Sequence, residues 1–347
     1  MKTWIAALAL LVTGSLAPAA AAQTLINGAG ATFPYPIYSK WFDAYTRVDP
    51  EARFNYQSIG SGGGIKQISS RTVDFGATDG PMTDEQLKQA PGELLHIPTV
   101  LGADVVTYNL PGSPKLRFTP DIIADIFLGK ITKWNDARLT AANPGVGLPD
   151  QPIVVVHRSD GSGTTYIWVD YLSKVSAEWQ QKVGKGTSVN WPVGLGGKGN
   201  EGVAGQVKNT PGALGYVELA YAATNKLPVG LVRNAAGRFI EPTIESTTAA
   251  AAGAARNMPA DFRVSLTNPP GDDAYPIASF TWLLVYREQP DQAKGRAIVN
   301  FLWWMSHEGQ KSAADLLYAP LPPQVVKQIE ARIKEINYQG KPLLAAR

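Results

Sequence analysis

The chain has 347 residues, 44% of them hydrophobic and 18% charged, a formal charge of +3 and no cysteine. These proportions describe a soluble globular protein, long enough for two lobes at about 150 residues per domain. They exclude disulfides, and the absence of a long Lys/Arg block argues against nucleic acid as a partner.

The first segment is not part of the fold. Lys2, the apolar run from Trp4 to Val12 and the small residues Ala20-Ala21-Ala22 have the pattern of a secretory signal peptide. Gly14, Ser15 and Pro18 break the run before it reaches the roughly 20 apolar residues of a membrane anchor. Residues 1–22 are therefore expected to be removed, leaving a start near Gln23. Without cysteine there is also no acylated lipoprotein anchor, so the product is expected to be a soluble, monomeric, periplasmic protein.

Along the mature chain, the spacing of Ile37, Trp41, Ala44 and Tyr45 predicts a helix over 36–47. Phe54 to Ser58 reads as a strand. Ser61 and three glycines lead into a helix from Ile65. Val73 to Ala77 reads as a buried strand, and Thr83 to Lys88 as a helix capped by its threonine. Residues 97–110 are β-rich, Pro120 to Leu128 is a helix, and Ile153 to Val156 is a buried strand of the parallel type. A glycine-dense stretch, VGLGGKGNEG, follows. Residues 247–256 predict a helix, Ser279 to Tyr286 a strand, and 292–306 and 323–336 two more helices. Strands alternating with helices argue for α/β architecture. No linker divides the chain, so two lobes would require it to pass between them more than once.

Three strand-to-helix turns are alike: INGAGATFPYPIYSKW, YQSIGSGGGIKQI and VHRSDGSGTTYIW. Each combines glycine with a hydroxyl residue. Glycine lets backbone N–H groups converge, and a helix start adds unpaired donors and the positive end of its dipole. Three such starts aimed at one point would hold an anion without a metal. Asp79, in VDFGATDGPM, follows an apolar strand, where ligands gather in open α/β sheets. A carboxylate there makes sense if the ligand carries a proton. Taken singly, each turn is most simply a cap, Asp79 a cap for the next helix, Asp160 an Asx-turn, and Arg158 a surface ion pair worth little. Their coincidence shifts the balance.

Catalytic readings are poorer. Ser162 lies in Gly-Ser-Gly rather than a Gly-x-Ser-x-Gly nucleophile elbow. His96, His157 and His307 are isolated, and His157 should face away from Arg158. Three isolated histidines give no metal site. The glycine loops lack the Gly-Lys-Ser/Thr end of a P-loop. The nine tryptophans, Trp303-Trp304 included, read as packing.

The segments GAGATFP, IGSGGGIKQI, DFGATD, RSDGSGTT, WPVGLGGKGNEGV and PGALGYVE together make the chain resemble the periplasmic phosphate-binding proteins of high-affinity ABC phosphate importers. The resemblance implies a two-lobed periplasmic-binding-protein fold of type II-like form, with hinge strands and a ligand cleft. It implies lobe I at 23–102 and 275–347 and lobe II at 103–274, no cofactor, inorganic phosphate as ligand and an inner-membrane ABC phosphate permease as partner. It also implies roles for single residues. Thr32 gives hydroxyl and N–H, Phe33 its N–H, and Ser61 hydroxyl and N–H. Asp79 accepts the phosphate proton, Arg158 supplies the positive charge, and Asp160 holds Arg158. Ser162 gives hydroxyl and N–H, Gly163 its N–H, and Thr164 N–H and hydroxyl. Two positions depart from the family pattern: glycine follows Ser61 where serine is frequent, and His157 stands where arginine is expected. A secreted phosphatase, a receptor for another oxyanion such as sulfate or molybdate, and a scavenger or adhesin without a transporter are the alternatives.

Overall fold

Fifteen consecutive buried residues, Leu94–Tyr108, form a single strand that organises the molecule. The computed structural model describes residues 23–344, so the signal peptide expected at 1–22 lies outside the described residues. The strands of the main sheet are β1 (Thr24–Gly30), β2 (Ala52–Ser58), β3 (Phe75–Thr78), β4 (Leu94–Tyr108), β5 (Val154–Arg158), β6 (Leu195–Gly197), β7 (Ala213–Glu218) and β8 (Ala278–Tyr286). They lie in the order β2-β1-β3-β8-β4-β7-β5-β6.

The flanks of this sheet are parallel and its middle is antiparallel. β1 pairs in parallel with β2 and β3, and β5 in parallel with β6 and β7. β4 joins the two groups by changing partners part-way along. Ala103 still faces Ala278 of β8, whereas Asp104 already faces Glu218 of β7. One strand therefore belongs to both halves.

Each half has its own aromatic centre. Phe54 meets Phe42 at 5.2 Å and Phe301 at 4.6 Å between ring centres on one side. On the other, Trp168 stacks on Tyr216 at 4.8 Å. Fully burying one such side chain contributes about 1.5–3 kcal/mol. Trp41, Trp134, Trp168, Trp179 and Trp282 are all buried, and Trp304 packs on Tyr45, as the packing reading expects. No helix among the described residues is long and apolar enough to cross a membrane.

Most predicted elements occur, with shifted ends. The capped helix is Asp84–Gln89, closed by a capping box between Thr83 and Gln86. Residues 292–306 are helical throughout, and the alanine-rich helix begins earlier, at Ile244, because Thr243 caps it. The helix expected from Ile65 instead starts at Ser61 and takes the glycines into its first turn. Close packing explains their place. A Cβ on Gly64 would lie 2.6 Å from the Cα of Gly30 and 2.7 Å from the Ala77 carbonyl. The glycine-dense stretch holds an unpredicted helix, Gly199–Asn209.

Candidate anion site

Three loops at strand ends converge beneath the helices they start. The first precedes α1 (Tyr35–Tyr45) and carries Thr32 and Phe33. The second opens α2 (Ser61–Ser69). The third runs from β5 through Asp160 and Ser162 into α3 (Gly163–Val175). Two of these loops touch. The Gly62 N–H donates to the Gly161 carbonyl at 2.9 Å, and a Cβ on Gly60 (φ +90°) would run into Asp160 Oδ2. Gly163 comes closest to the opposite side. A Cβ there would lie 2.5 Å from both Asp79 Oδ2 and Ser61 Oγ.

The sequence-predicted residues are thus brought together, and nearly all are buried. Arg158 is 3% exposed, which removes it from the class of surface ion pairs. Its Nε and Nη2 donate to Asp160 Oδ1 and Oδ2 at 2.8 and 2.6 Å, and its Nη1 donates to Thr164 Oγ1 at 3.1 Å. This is the two-pronged arginine–carboxylate geometry. Burial pulls the guanidinium down, but the Asp160 carboxylate outweighs it and the net shift is upward. Burial pushes Asp160 up, while Arg158 and the Gly199 N–H bring it below its ordinary value.

Asp79 is treated differently. Burial pushes its carboxyl from 3.8 to about 7, against the Thr281 hydroxyl, the Arg158 charge and Ser61. Thr281 Oγ1 donates to Asp79 Oδ1 at 2.7 Å. Ser61 Oγ accepts the Asp79 N–H at 3.2 Å and faces Oδ2 at 3.4 Å. Burial thus moves the Asp79 carboxyl toward neutrality, a kind of shift that clusters at functional sites.

Ser162 caps its helix: its Oγ accepts the Thr165 N–H at 2.9 Å. Its own N–H donates to the Thr187 carbonyl at 2.7 Å, so the donor expected of it is already committed. The N–H groups of Phe33, Ser61, Gly163 and Thr164 meet no acceptor among the described residues. Helix starts leave just such donors, each charged or dipolar contact being stronger for an anion than for a neutral group.

The histidines lie outside this cluster. His96 is buried, burial drives it down to about 3, and its Nε2 accepts the Met82 N–H. His157 stacks on Trp191 at 4.8 Å, facing away from Arg158 as expected. His307 stacks on Trp303 and reaches Glu330 at 3.2 Å. None reaches Ser162.

Several residues of the cluster escaped the sequence reading. Thr281 reaches Asp79 because β8 runs antiparallel to β3 with Trp282 opposite Thr78, so the next residue of β8 meets the residue that follows β3. Tyr216 receives the Arg158 N–H on its hydroxyl at 3.2 Å. Asn200 bonds both Thr32 and Thr164. Only Asn200 had a signal, its place in the glycine-dense segment.

The crossover carries two further carboxyls. Asp104 and Glu218 face each other across β4 and β7, both fully buried. Neither oxygen of Asp104 has a hydrogen-bond partner among the described residues. Burial pushes both groups well above the ordinary carboxylate range, helped for each by the charge of Asp79. A carboxyl raised in the native state contributes stability below its ordinary pKa, and that contribution is lost as pH rises. Asp104→Val should therefore raise the melting temperature of the ligand-free protein, by about 2–6 °C, with the larger gain at pH 8 than at pH 5. Differential scanning calorimetry at the two pH values tests this, and equal gains would detach the effect from ionisation.

A family model described as a PBP superfamily domain matches residues 17–308. The chain is 50% identical over 324 residues to the phosphate-binding protein PstS of Xylella fastidiosa, covering 91% of this chain and 88% of that one. The chain belongs to the phosphate-binding PstS family. The PstS protein of Pasteurella multocida is 47% identical, with 90% of each chain covered. Among solved structures, a phosphate-binding protein from Stenotrophomonas maltophilia superposes with a TM-score of 0.68 at 21% identity, over 89% of this chain and 94% of its own. A phosphate ABC transporter substrate-binding protein from Clostridium perfringens, solved with bound phosphate, gives 0.64 at 20% identity, over 86% and 100%. These likenesses establish the two-lobed binding-protein fold.

Proposed function

We propose that the family's chemistry is carried out here by the cluster around Arg158. The protein captures inorganic phosphate, as HPO₄²⁻ or H₂PO₄⁻, and delivers it to an ABC permease. The observation that carries this reading is the meeting of Asp79 and Ser61 with Gly163, at the start of the helix that follows the Arg158–Asp160 pair. A proton acceptor, a guanidinium and two helix starts then address one small volume.

The phosphate ligands in this reading are Thr32, Phe33, Ser61, Asp79, Arg158, Gly163 and Thr164. Asp160 orients Arg158, and Ser162 contributes through its cap. One guanidinium already paired with a carboxylate cannot neutralise a dianion, so fixed N–H dipoles do most of the stabilising. The reading is of binding rather than catalysis, because the elbow serine holds a helix N–H and no imidazole reaches it. Lobe I would comprise 23–102 and 275–347, and lobe II 103–274; the change of partner along β4 at Ala103 and Asp104 supports that boundary. The signal-peptide pattern of residues 1–22 and the absence of cysteine support a periplasmic site of action.

Calorimetry of the phosphate-stripped protein tests the function. Saturable heat with phosphate and little with sulfate at equal ionic strength is expected. No heat with phosphate would refute the reading. The close approach at Gly163 gives a second expectation. Gly163→Ala adds a methyl group where Asp79 and Ser61 already stand, and overpacking of this kind costs about 1–3 kcal/mol. Phosphate affinity should fall about 5- to 150-fold. Unchanged affinity would mean the two sides stand further apart around the ligand.

A further inference from the structure

Asn200 is fully buried and every polar group of its side chain is engaged. Its Oδ1 accepts the Glu218 N–H at 2.9 Å, which settles which end of the amide is which. Its Nδ2 then donates in two directions, to Thr32 Oγ1 at 2.8 Å and to Thr164 Oγ1 at 3.0 Å. The Asn200 backbone N–H also donates to Thr32 Oγ1, at 3.2 Å. One residue thereby ties the loop before α1 to the start of α3.

The consequence lies in the hydroxyls. A threonine hydroxyl has one proton to donate and two lone pairs to accept with. At Thr32 both lone pairs receive donors from Asn200. At Thr164 one receives Asn200 and the other Arg158 Nη1. Each hydroxyl has only its proton left, and neither donates to an acceptor among the described residues. On the phosphate reading, we propose that Asn200 is a positioning residue that turns Thr32 and Thr164 into obligate donors to the bound oxyanion. A free hydroxyl would have to be turned and held in its donating orientation as the anion binds, an ordering cost that a pre-set rotor avoids. Here the choice is made before the ligand arrives. A P–O–H group also finds no lone pair at either threonine, which directs the ligand's proton toward Asp79.

The test is calorimetry with inorganic phosphate at one ionic strength and pH. Asn200→Ala should weaken binding about tenfold, the order of one lost donor network. Asn200→Asp is nearly isosteric but reverses the polarity, because its carboxylate accepts from both threonines and holds their protons away from the ligand. It should weaken binding by more than Asn200→Ala, about a hundredfold or beyond. In a Thr32→Val, Thr164→Val background the hydroxyls are gone, so Asn200→Ala should cost less than threefold more. That non-additivity is the signature of a residue acting through the threonines. A purely structural Asn200 would give additive losses and no extra penalty for aspartate, and either result overturns the inference. Melting of each phosphate-free variant shows that it is folded. If the wild type binds no phosphate, the functional reading falls first. If it binds and Asn200→Asp binds equally well, only the role of Asn200 falls.

Discussion

Arg158→Lys should weaken phosphate binding about 5- to 150-fold although the charge is kept. The arginine does three things at once in the cluster: it grips both oxygens of Asp160, donates to Thr164 Oγ1, and keeps further N–H groups for a ligand. An ammonium is a point charge on a flexible stem. It can satisfy one oxygen of Asp160 or the ligand, but not the planar fork. Losing hydrogen bonds to charged groups costs about 1–3 kcal/mol, which is the range quoted above as a fold-change. The retained charge sets the lower end of that range and the lost geometry the upper. Asp160→Asn separates the two contributions. It leaves Arg158 buried beside a neutral amide, so the ligand-free protein should melt at a lower temperature. Phosphate then becomes the better partner for the guanidinium, and its stabilising effect on melting should grow. Equal affinity for wild type and Arg158→Lys would make Arg158 a structural residue that serves Asp160 alone.

How much of this site could be read from the sequence depends on how local its parts are. The elbow from Arg158 to Thr164 is contiguous, so a capped helix start with free donors was legible as one turn. The Arg158–Asp160 pair, by contrast, was implied only by the resemblance. Ser162, expected to give hydroxyl and N–H to the ligand, spends them on Thr165 and Thr187. Asp79 was legible because it ends an apolar strand. Its pKa was not, since that comes from burial by segments distant in the chain. Thr281 meets Asp79 through the antiparallel register of β8 against β3, and no periodicity within one strand reports which residue of a distant strand it will face. Asn200 sits among glycines, where helix propensity is weak, and tertiary contacts decide that a helix forms there. Asp104 and Glu218 escaped for a related reason. Glu218 ends an apolar run and Asp104 interrupts one, and only the sheet register places them opposite one another. The α/β alternation was readable throughout, whereas the exchange of partners along β4 is a property of the whole sheet.

Asp79→Asn should leave phosphate binding serviceable while sulfate becomes a much better competitor. Phosphate near neutral pH keeps at least one P–O–H group, which can donate to a carboxylate. Sulfate has no proton and would face Asp79 as charge against charge. With Asp79 buried and held about 7, the proton on this carboxyl decides the outcome. Below that value Asp79 carries a proton and can itself donate to sulfate. Above it, Asp79 is ionised, and an unmatched buried charge costs at least the 1–3 kcal/mol or so of an unsatisfied polar group. Discrimination by repulsion should therefore strengthen as pH rises through about 7. The wild-type preference for phosphate over sulfate should be larger at pH 8 than at pH 5.5, by about tenfold or more. An asparagine keeps one acceptor oxygen for the P–O–H and offers sulfate an N–H₂ group, and it does not titrate. Its preference should be smaller and nearly flat across the same interval. The ligand-free protein gives an independent check. A carboxyl raised from 3.8 to about 7 supports the fold fully below pH 3.8 and loses that support as pH rises through 7. Asp79→Asn should remove this part of the decline in melting temperature, leaving the part due to Asp104 and Glu218. Competition of sulfate against labelled phosphate at fixed ionic strength decides the matter. A phosphate-to-sulfate ratio that rises equally with pH in wild type and variant would assign selectivity to the N–H donors and remove Asp79 from it.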